Sequence, residues 1–145
     1  MKAQYRIVAE MLFFMLGVVI TSFIIINFHE IQNFFEGVVV EQQMNDISKL
    51  AVLGVVKASL SNNSIMVIQI PVEVSDSIYM ISVFDENRDE CNIGDRCFLD
   101  VSNGYTNLSQ QLFNISQNHN IIGSVASSAG YMKITTNATH IVIGR

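Results

Sequence analysis

Ile7–Phe28, which reads IVAEMLFFMLGVVITSFIIINF, decides how the rest of the chain is organised. The run is apolar on every side of a helix and contains one charged residue, Glu10. At a rise of about 1.5 Å per residue, it is long enough to cross the roughly 30 Å hydrocarbon core of a bilayer. A core helix of a small soluble protein rarely needs so long an all-round apolar surface. The run therefore predicts a transmembrane helix.

The flanks of this run predict that the helix is retained, and they set its orientation. A cleavable secretory signal has a shorter apolar stretch and then a small-x-small site, which His29–Gln32 does not offer. Lys2 and Arg6 precede the run, whereas no Lys or Arg follows it until Lys49. The positive-inside rule therefore predicts a single-pass cell-membrane protein with a cytoplasmic N-terminus and an extracellular C-terminal domain.

Glu10 is a costly residue in such a helix. A carboxylate costs about 2.5–3.5 kcal/mol at the bilayer centre and less near an interface. One interpretation places Glu10, about one turn into the run, at the cytoplasmic headgroups. The other pairs it with a cation on a neighbouring chain, which would make it an assembly residue.

Helical character continues beyond the apolar run. Between Phe34 and Leu60, apolar residues recur at intervals of three and four, as in an amphipathic helix: Val40, Met44, Ile47, Ala51, Val55 and Ala58. The polar stretch Ser61–Ser64 supplies a stop. We therefore expect one helix from about Gln4 to Leu60, with the leader and transmembrane part in residues 1–30 and an amphipathic extension in residues 31–61.

Residues 62–145 predict an exported β domain, because short segments rich in β-forming residues alternate with polar turns. The predicted strands are Ile65–Ile70, Ile78–Phe84, Phe98–Val101, Gln110–Ile115, Ile121–Ser127, Tyr131–Thr136 and His140–Ile143, with a turn at Asn103-Gly104. The expected fold class is α+β: a long transmembrane and amphipathic helix, then a small antiparallel β (sandwich-like) domain or a curled sheet. We expect the apolar face of Val40–Ala58 to cover one face of this sheet.

Composition argues against several functions. The net charge is −5, and beyond residue 30 there are 11 acidic residues against 6 Lys and Arg, a balance unsuited to binding nucleic acid. The sequence has no nucleophile elbow, P-loop, HExxH or dinucleotide fingerprint, and its three histidines are dispersed. We therefore expect no enzyme activity, no catalytic residues, no cofactor and no metal site.

The exported part carries two further sets of candidate residues. Cys91 and Cys97, in CNIGDRC, predict a disulfide in an oxidising compartment, with free thiols as the alternative. Four N-x-S/T sequons predict surface glycosylation, at Asn62, Asn107, Asn114 and Asn137.

The acidic loop within residues 85–100 leaves two interpretations open. Its carboxylates could bind calcium. The stretch lacks EF-hand spacing and contains Arg88 and Arg96 among the acids, which favours a solvated loop.

The N-terminal region resembles a known family. A short basic leader, Lys2-Ala3-Gln4, then an apolar helix that becomes amphipathic, resembles the archaeal type IV pilin-like family of pilins, archaellins and archaellum accessory proteins. The resemblance implies that a prepilin peptidase cuts a class III signal peptide between Ala3 and Gln4. It also implies that Glu10 pairs with a neighbour's new N-terminus during assembly, and that the β domain is exported and often glycosylated.

The expected function is structural. In the first version the chain is a pilin or pilin-like subunit, whose helix is anchored in membrane lipid and then packs against copies of itself or other pilin-like subunits in a filament core. In the alternative it is a permanently anchored accessory protein, whose β domain binds an S-layer or archaellum component. A sensory or ligand-binding module is disfavoured because about six residues precede the helix, and an anchored enzyme ranks last.

Overall fold

A computed structural model describes residues 2–61, 63–112 and 115–145, with residues 2–6 described by their backbone alone. One helix, α1 (Lys2–Ser59), precedes a β domain, which confirms the predicted α+β class. The chain divides into two compact units, Met1–Val38 and Val39–Arg145.

The first unit is the N-terminal part of α1. This part contains no proline, since Pro71 is the single proline of the chain, so nothing removes a backbone hydrogen bond from the helix. Its large apolar side chains are exposed all round the helix. Within this unit the helix therefore has no apolar cover among the described residues.

The second unit combines the end of α1 with one seven-stranded sheet. The strands are β1 (Ser64–Gln69), β2 (Met80–Asp85), β3 (Cys97–Ser102), β4 (Asn107–Gln111), β5 (Asn120–Ala126), β6 (Tyr131–Thr136) and β7 (His140–Gly144). Their order across the sheet is β1-β6-β7-β5-β2-β3-β4. β5 and β7 pair parallel, and the other neighbours pair antiparallel. The sequence predicts either a sandwich-like domain or one curled sheet, and the structure has one sheet.

The helix covers one face of this sheet with the residues that its periodicity predicts. Met44, Ile47, Ala51, Val55 and Ala58 are buried, and Val40 packs at the margin of the same core. Alternate residues of the strands supply the other side of the core, including Ile81, Leu99, Ile121, Ile134 and Ile141. Each fully buried side chain of this size contributes about 1.5–3 kcal/mol, so the core between helix and sheet holds the second unit together.

The helix approaches the sheet closely at Gly54. A Cβ atom at this position would meet the Cδ1 atoms of Ile68 and Ile134, which lie on adjacent strands. The missing side chain therefore lets the helix lie directly on the β1–β6 pair.

Most predicted strands lie where expected, and β4 is the exception. The prediction Gln110–Ile115 follows the apolar residues Leu112 and Ile115, but the strand occupies Asn107–Gln111. Leu112 and Ile115 are buried as predicted for apolar residues, outside any strand. β4 is an edge strand, which pairs with one neighbour only and can have a polar composition. Because NLSQQ contains few β-forming residues, the sequence does not predict a strand there.

Candidate functional site

The apolar segment Ile7–Phe28 is the most unusual surface of the chain. Each large apolar side chain in it is 50–74% exposed. Removing a side chain of this size from water contributes about 1.5–3 kcal/mol, so lipid or other apolar helices would stabilise this segment strongly. Among the described residues, α1 is the one helix long and apolar enough to cross a membrane.

The uncharged polar side chains in this segment, Thr21, Ser22 and Asn27, donate hydrogen bonds within the helix itself. The Thr21 hydroxyl donates to the Gly17 carbonyl at 2.8 Å, and the Ser22 hydroxyl donates to the Val18 carbonyl at 2.8 Å. The Asn27 amide donates to the carbonyl four residues earlier at 2.7 Å. Such bonds within the helix suit a medium that offers no water to unpaired polar groups.

The residues predicted for processing and assembly lie at the start of α1. Ala3 and Gln4 are helical in their backbone, and their side chains lie outside the described part of the structure. Glu10 is exposed on the same helix. Neither the cut between Ala3 and Gln4 nor the role of Glu10 is tested by these positions, and both stay predictions.

The predicted disulfide between Cys91 and Cys97 is formed, with the two Cα atoms 5.6 Å apart. Both cysteines are fully buried. Cys91 lies beside β5, where its carbonyl accepts a hydrogen bond from the Ile121 amide at 3.0 Å, and Cys97 opens β3. The bridge therefore closes the loop between these residues and fixes it to the sheet.

A carboxylate in the acidic loop accepts hydrogen bonds from the loop's own backbone amides. The Asp85 carboxylate accepts hydrogen bonds from the amides of Asn87 at 2.9 Å and Asp89 at 2.7 Å. Glu86 pairs with Arg96 at 3.1 Å. In the described part of the chain, no three Asp, Glu, His or Cys side chains group as metal ligands would. This arrangement favours a solvated loop, in which a carboxylate binds the loop's own backbone amides, over a calcium site.

Asp100 is a buried carboxylate that the sequence does not reveal. It lies on β3, opposite Ser82 and Ser109, on the face of the sheet away from the helix, yet it is only 6% exposed. Its Oδ1 atom has no hydrogen-bond partner among the described residues. Burial raises the pKa of Asp100, while a hydrogen bond with Asn107 and the positive charge of Arg88 act to lower it.

In the sequence, Asp100 ends the acidic stretch 85–100, whose composition favours a solvated loop. The aromatic residues Phe84 and Phe98, which pair across β2 and β3 beside it, are the signal that could have suggested its burial.

Two sequons lie in the described part of the structure. Asn107 is exposed at the start of β4. Asn137 lies in the β6–β7 turn, where its Oδ1 atom accepts hydrogen bonds from the amides of Thr139 at 3.0 Å and His140 at 2.7 Å. This Asx turn uses the oxygen of the Asn137 amide, whereas the nitrogen is the atom that would carry a glycan. Asn62 and Asn114 lie outside the described residues.

Comparison of the chain with protein-family models, curated proteins and solved structures finds no match in any of the three.

Proposed function

We propose that this chain is a structural cell-surface protein, a pilin or pilin-like subunit rather than an enzyme. The observation that carries the proposal is the change of character along α1. Up to Val38 its apolar side chains are exposed, whereas from Met44 to Ala58 one face is buried against the sheet. A helix of this kind joins a segment that requires an apolar environment to a folded domain that does not.

In the proposed mechanism, lipid covers the apolar segment first and other subunits cover it later. A single-pass orientation with the N-terminus in the cytoplasm leaves the second unit outside the cell. On assembly, helix–helix contacts replace lipid contacts in the filament core, and the sheet domain forms the outer surface. A prepilin peptidase would first remove the leader, residues 1–3, by cutting between Ala3 and Gln4. The mature chain would then begin with the apolar helix.

A permanently anchored accessory protein is the second candidate. The observation in its favour is the face of the sheet opposite the helix, on which Ile65 is 66% exposed and Val67 is 60% exposed. Both residues lie on the edge strand β1. Apolar side chains on an uncovered edge are suited to contact with another envelope protein, such as an S-layer or archaellum component.

Replacing Glu10 by alanine tests the leading candidate. Wild type and Glu10→Ala are expressed in cells, and the chain is quantified in membrane and shed-filament fractions. We expect the variant to remain in the membrane fraction and to be depleted from filaments. Glu36→Ala is the matched control, since Glu36 is also exposed on α1 but lies beyond the apolar run. Normal incorporation of Glu10→Ala would refute the assembly role of Glu10.

A further inference from the structure

A groove of about 410 Å³ lies on the second unit, between α1 and the segment that follows β1. It is lined by Gln43, Asp46, Ile47 and Leu50 from the helix and by Pro71, Glu73 and Val74 from that segment. Ile47 and Val74 belong to the buried core and form its floor, whereas Leu50 is 40% exposed at its wall. The lining is therefore apolar at depth and accessible from outside.

The wall opposite the helix is held in place by two sets of hydrogen bonds, one within a tight turn and one from Tyr79. Val74 and Ser77 exchange backbone hydrogen bonds of 3.0 and 3.1 Å across a tight turn. The two central residues of this turn, Ser75 and Asp76, have φ angles of 49° and 59°, as a type I′ turn requires. The buried Tyr79 hydroxyl donates to the Pro71 carbonyl at 2.6 Å. A groove with a fixed wall loses little conformational freedom when it binds a ligand.

Both charged residues that line the groove are acidic. Asp46 comes from the helix wall and Glu73 from the opposite wall, and both are exposed. Among the side chains that the structure describes, no Lys or Arg lines the groove. In the part of the chain that the structure describes, neither carboxylate has an ion pair or a hydrogen bond, whereas Arg96 is paired with Glu86. The groove therefore offers two exposed carboxylates, neither of them in an ion pair with a described residue, above an apolar floor.

We propose that this groove binds a Lys or Arg side chain of a partner polypeptide, together with an adjacent apolar side chain. The cationic head would lie between Asp46 and Glu73, and the aliphatic stem would contact Leu50 and Val74. Long basic side chains suit such a site because they combine a charged end with an apolar stem. The inference concerns the second unit alone and goes beyond the proposed role in a filament, so either can fail without the other.

The test measures binding of a defined basic peptide to the full chain in neutral detergent micelles. The probe is acetyl-Gly-Leu-Arg-Leu-Gly-amide, and the same peptide with Glu in place of Arg is its control. Methyl-labelled Leu and Val residues are followed by NMR during the titration. We expect the methyl signals of Leu50 and Val74 to shift with the Arg peptide and not with the Glu peptide. The methyl signals of Val142, on β7, should stay unchanged.

A pair of charge-removing variants identifies the carboxylates responsible. The variant Asp46→Asn with Glu73→Gln should bind the Arg peptide about fivefold more weakly, since each exposed ion pair contributes a small factor. Glu41→Gln with Glu90→Gln removes the same charge from exposed residues that do not line the groove, and should bind like wild type. Raising the NaCl concentration should weaken wild-type binding.

Three results would overturn the proposal. They are wild-type affinity in the Asp46→Asn, Glu73→Gln variant, equal binding of the Arg and Glu peptides, and Arg-peptide binding with no shift at Leu50 and Val74.

Discussion

Replacing Gly123 by alanine should break the sheet at the point where its two halves join. Gly123 lies in β5 opposite Ile143 of β7, in the parallel pair that connects β1-β6-β7 to β5-β2-β3-β4. Its φ angle is +115°, which side chains of L-residues rarely tolerate. A Cβ atom there would run into the carbonyl oxygen of Ile143. Unlike the end of a flexible side chain, this carbonyl cannot move without moving its strand.

The expected cost follows from these two effects. The unfavourable backbone conformation alone costs about 1–3 kcal/mol. Moving the Ile143 carbonyl adds the weakening of a buried backbone hydrogen bond, about 0.5–1.5 kcal/mol. Gly123→Ala should therefore lower the free energy of unfolding of the second unit by about 2–4 kcal/mol, a large part of the 5–15 kcal/mol that is typical of a domain.

The assay is urea unfolding of the full chain in neutral detergent, followed by near-UV circular dichroism. This signal reports mainly on tyrosines, and three of the four, including the buried Tyr79, lie in the second unit. Gly144→Ala is the matched control, because it lies in the neighbouring strand and an added Cβ there meets nothing within 4 Å. We expect the control to stay within about 0.5 kcal/mol of wild type. A Gly123→Ala variant as stable as this control would show that neither the φ angle of Gly123 nor its contact with the Ile143 carbonyl limits the residue at this position.

Three further predictions concern single interactions, and the same urea assay measures each. Cys91→Ser with Cys97→Ser should cost about 2 kcal/mol, because the bridge closes a short loop in the unfolded chain; an unchanged midpoint would contradict a stabilising role. Tyr79→Phe should cost about 1 kcal/mol, since it leaves the Pro71 carbonyl without its donor; wild-type stability would show that water replaces the hydroxyl at no cost. Burial raises the pKa of Asp100, so the folded state holds that proton more tightly than the unfolded state, and stability from this group grows as the pH falls towards about 4. Asp100→Asn should therefore be more stable than wild type at pH 7, with an advantage that shrinks on acidification; an advantage independent of pH would contradict the titration.

The helix could be predicted from the sequence because its signals are long and mutually consistent. An apolar run without proline, followed by a three-and-four-residue repeat, predicts a helix from about Gln4 to Leu60, and α1 spans Lys2–Ser59. The same repeat correctly identifies the residues that the sheet buries, from Met44 to Ala58. Both signals depend on one helical period, which the sequence displays directly.

Sheet topology could not be predicted in the same way. Strands such as β6, Tyr131–Thr136, are visible from their own composition, but their order depends on contacts between residues far apart in the chain. The parallel pairing of β5 with β7 is such a contact, and it depends on the φ angle of Gly123. A glycine in a β-rich segment signals a bulge or a close approach without naming its partner.

The candidate sites differ in the same way, because some join residues close in sequence and others join residues far apart. The Cys91–Cys97 bridge could be predicted because both partners are close in sequence. The groove between α1 and the segment after β1 could not, since Asp46 and Glu73 are brought together by the packing of the helix on the sheet. Burial of Asp100 depends likewise on side chains from neighbouring strands.

The most direct test of the proposed function is the N-terminus of the native protein, determined by mass spectrometry on membrane and shed-filament fractions. We predict a chain that begins at Gln4 in the filament fraction, because a pilin-like subunit is processed before it assembles. A chain that keeps Met1 in every fraction and is absent from filaments would contradict it, and would favour the permanently anchored accessory protein.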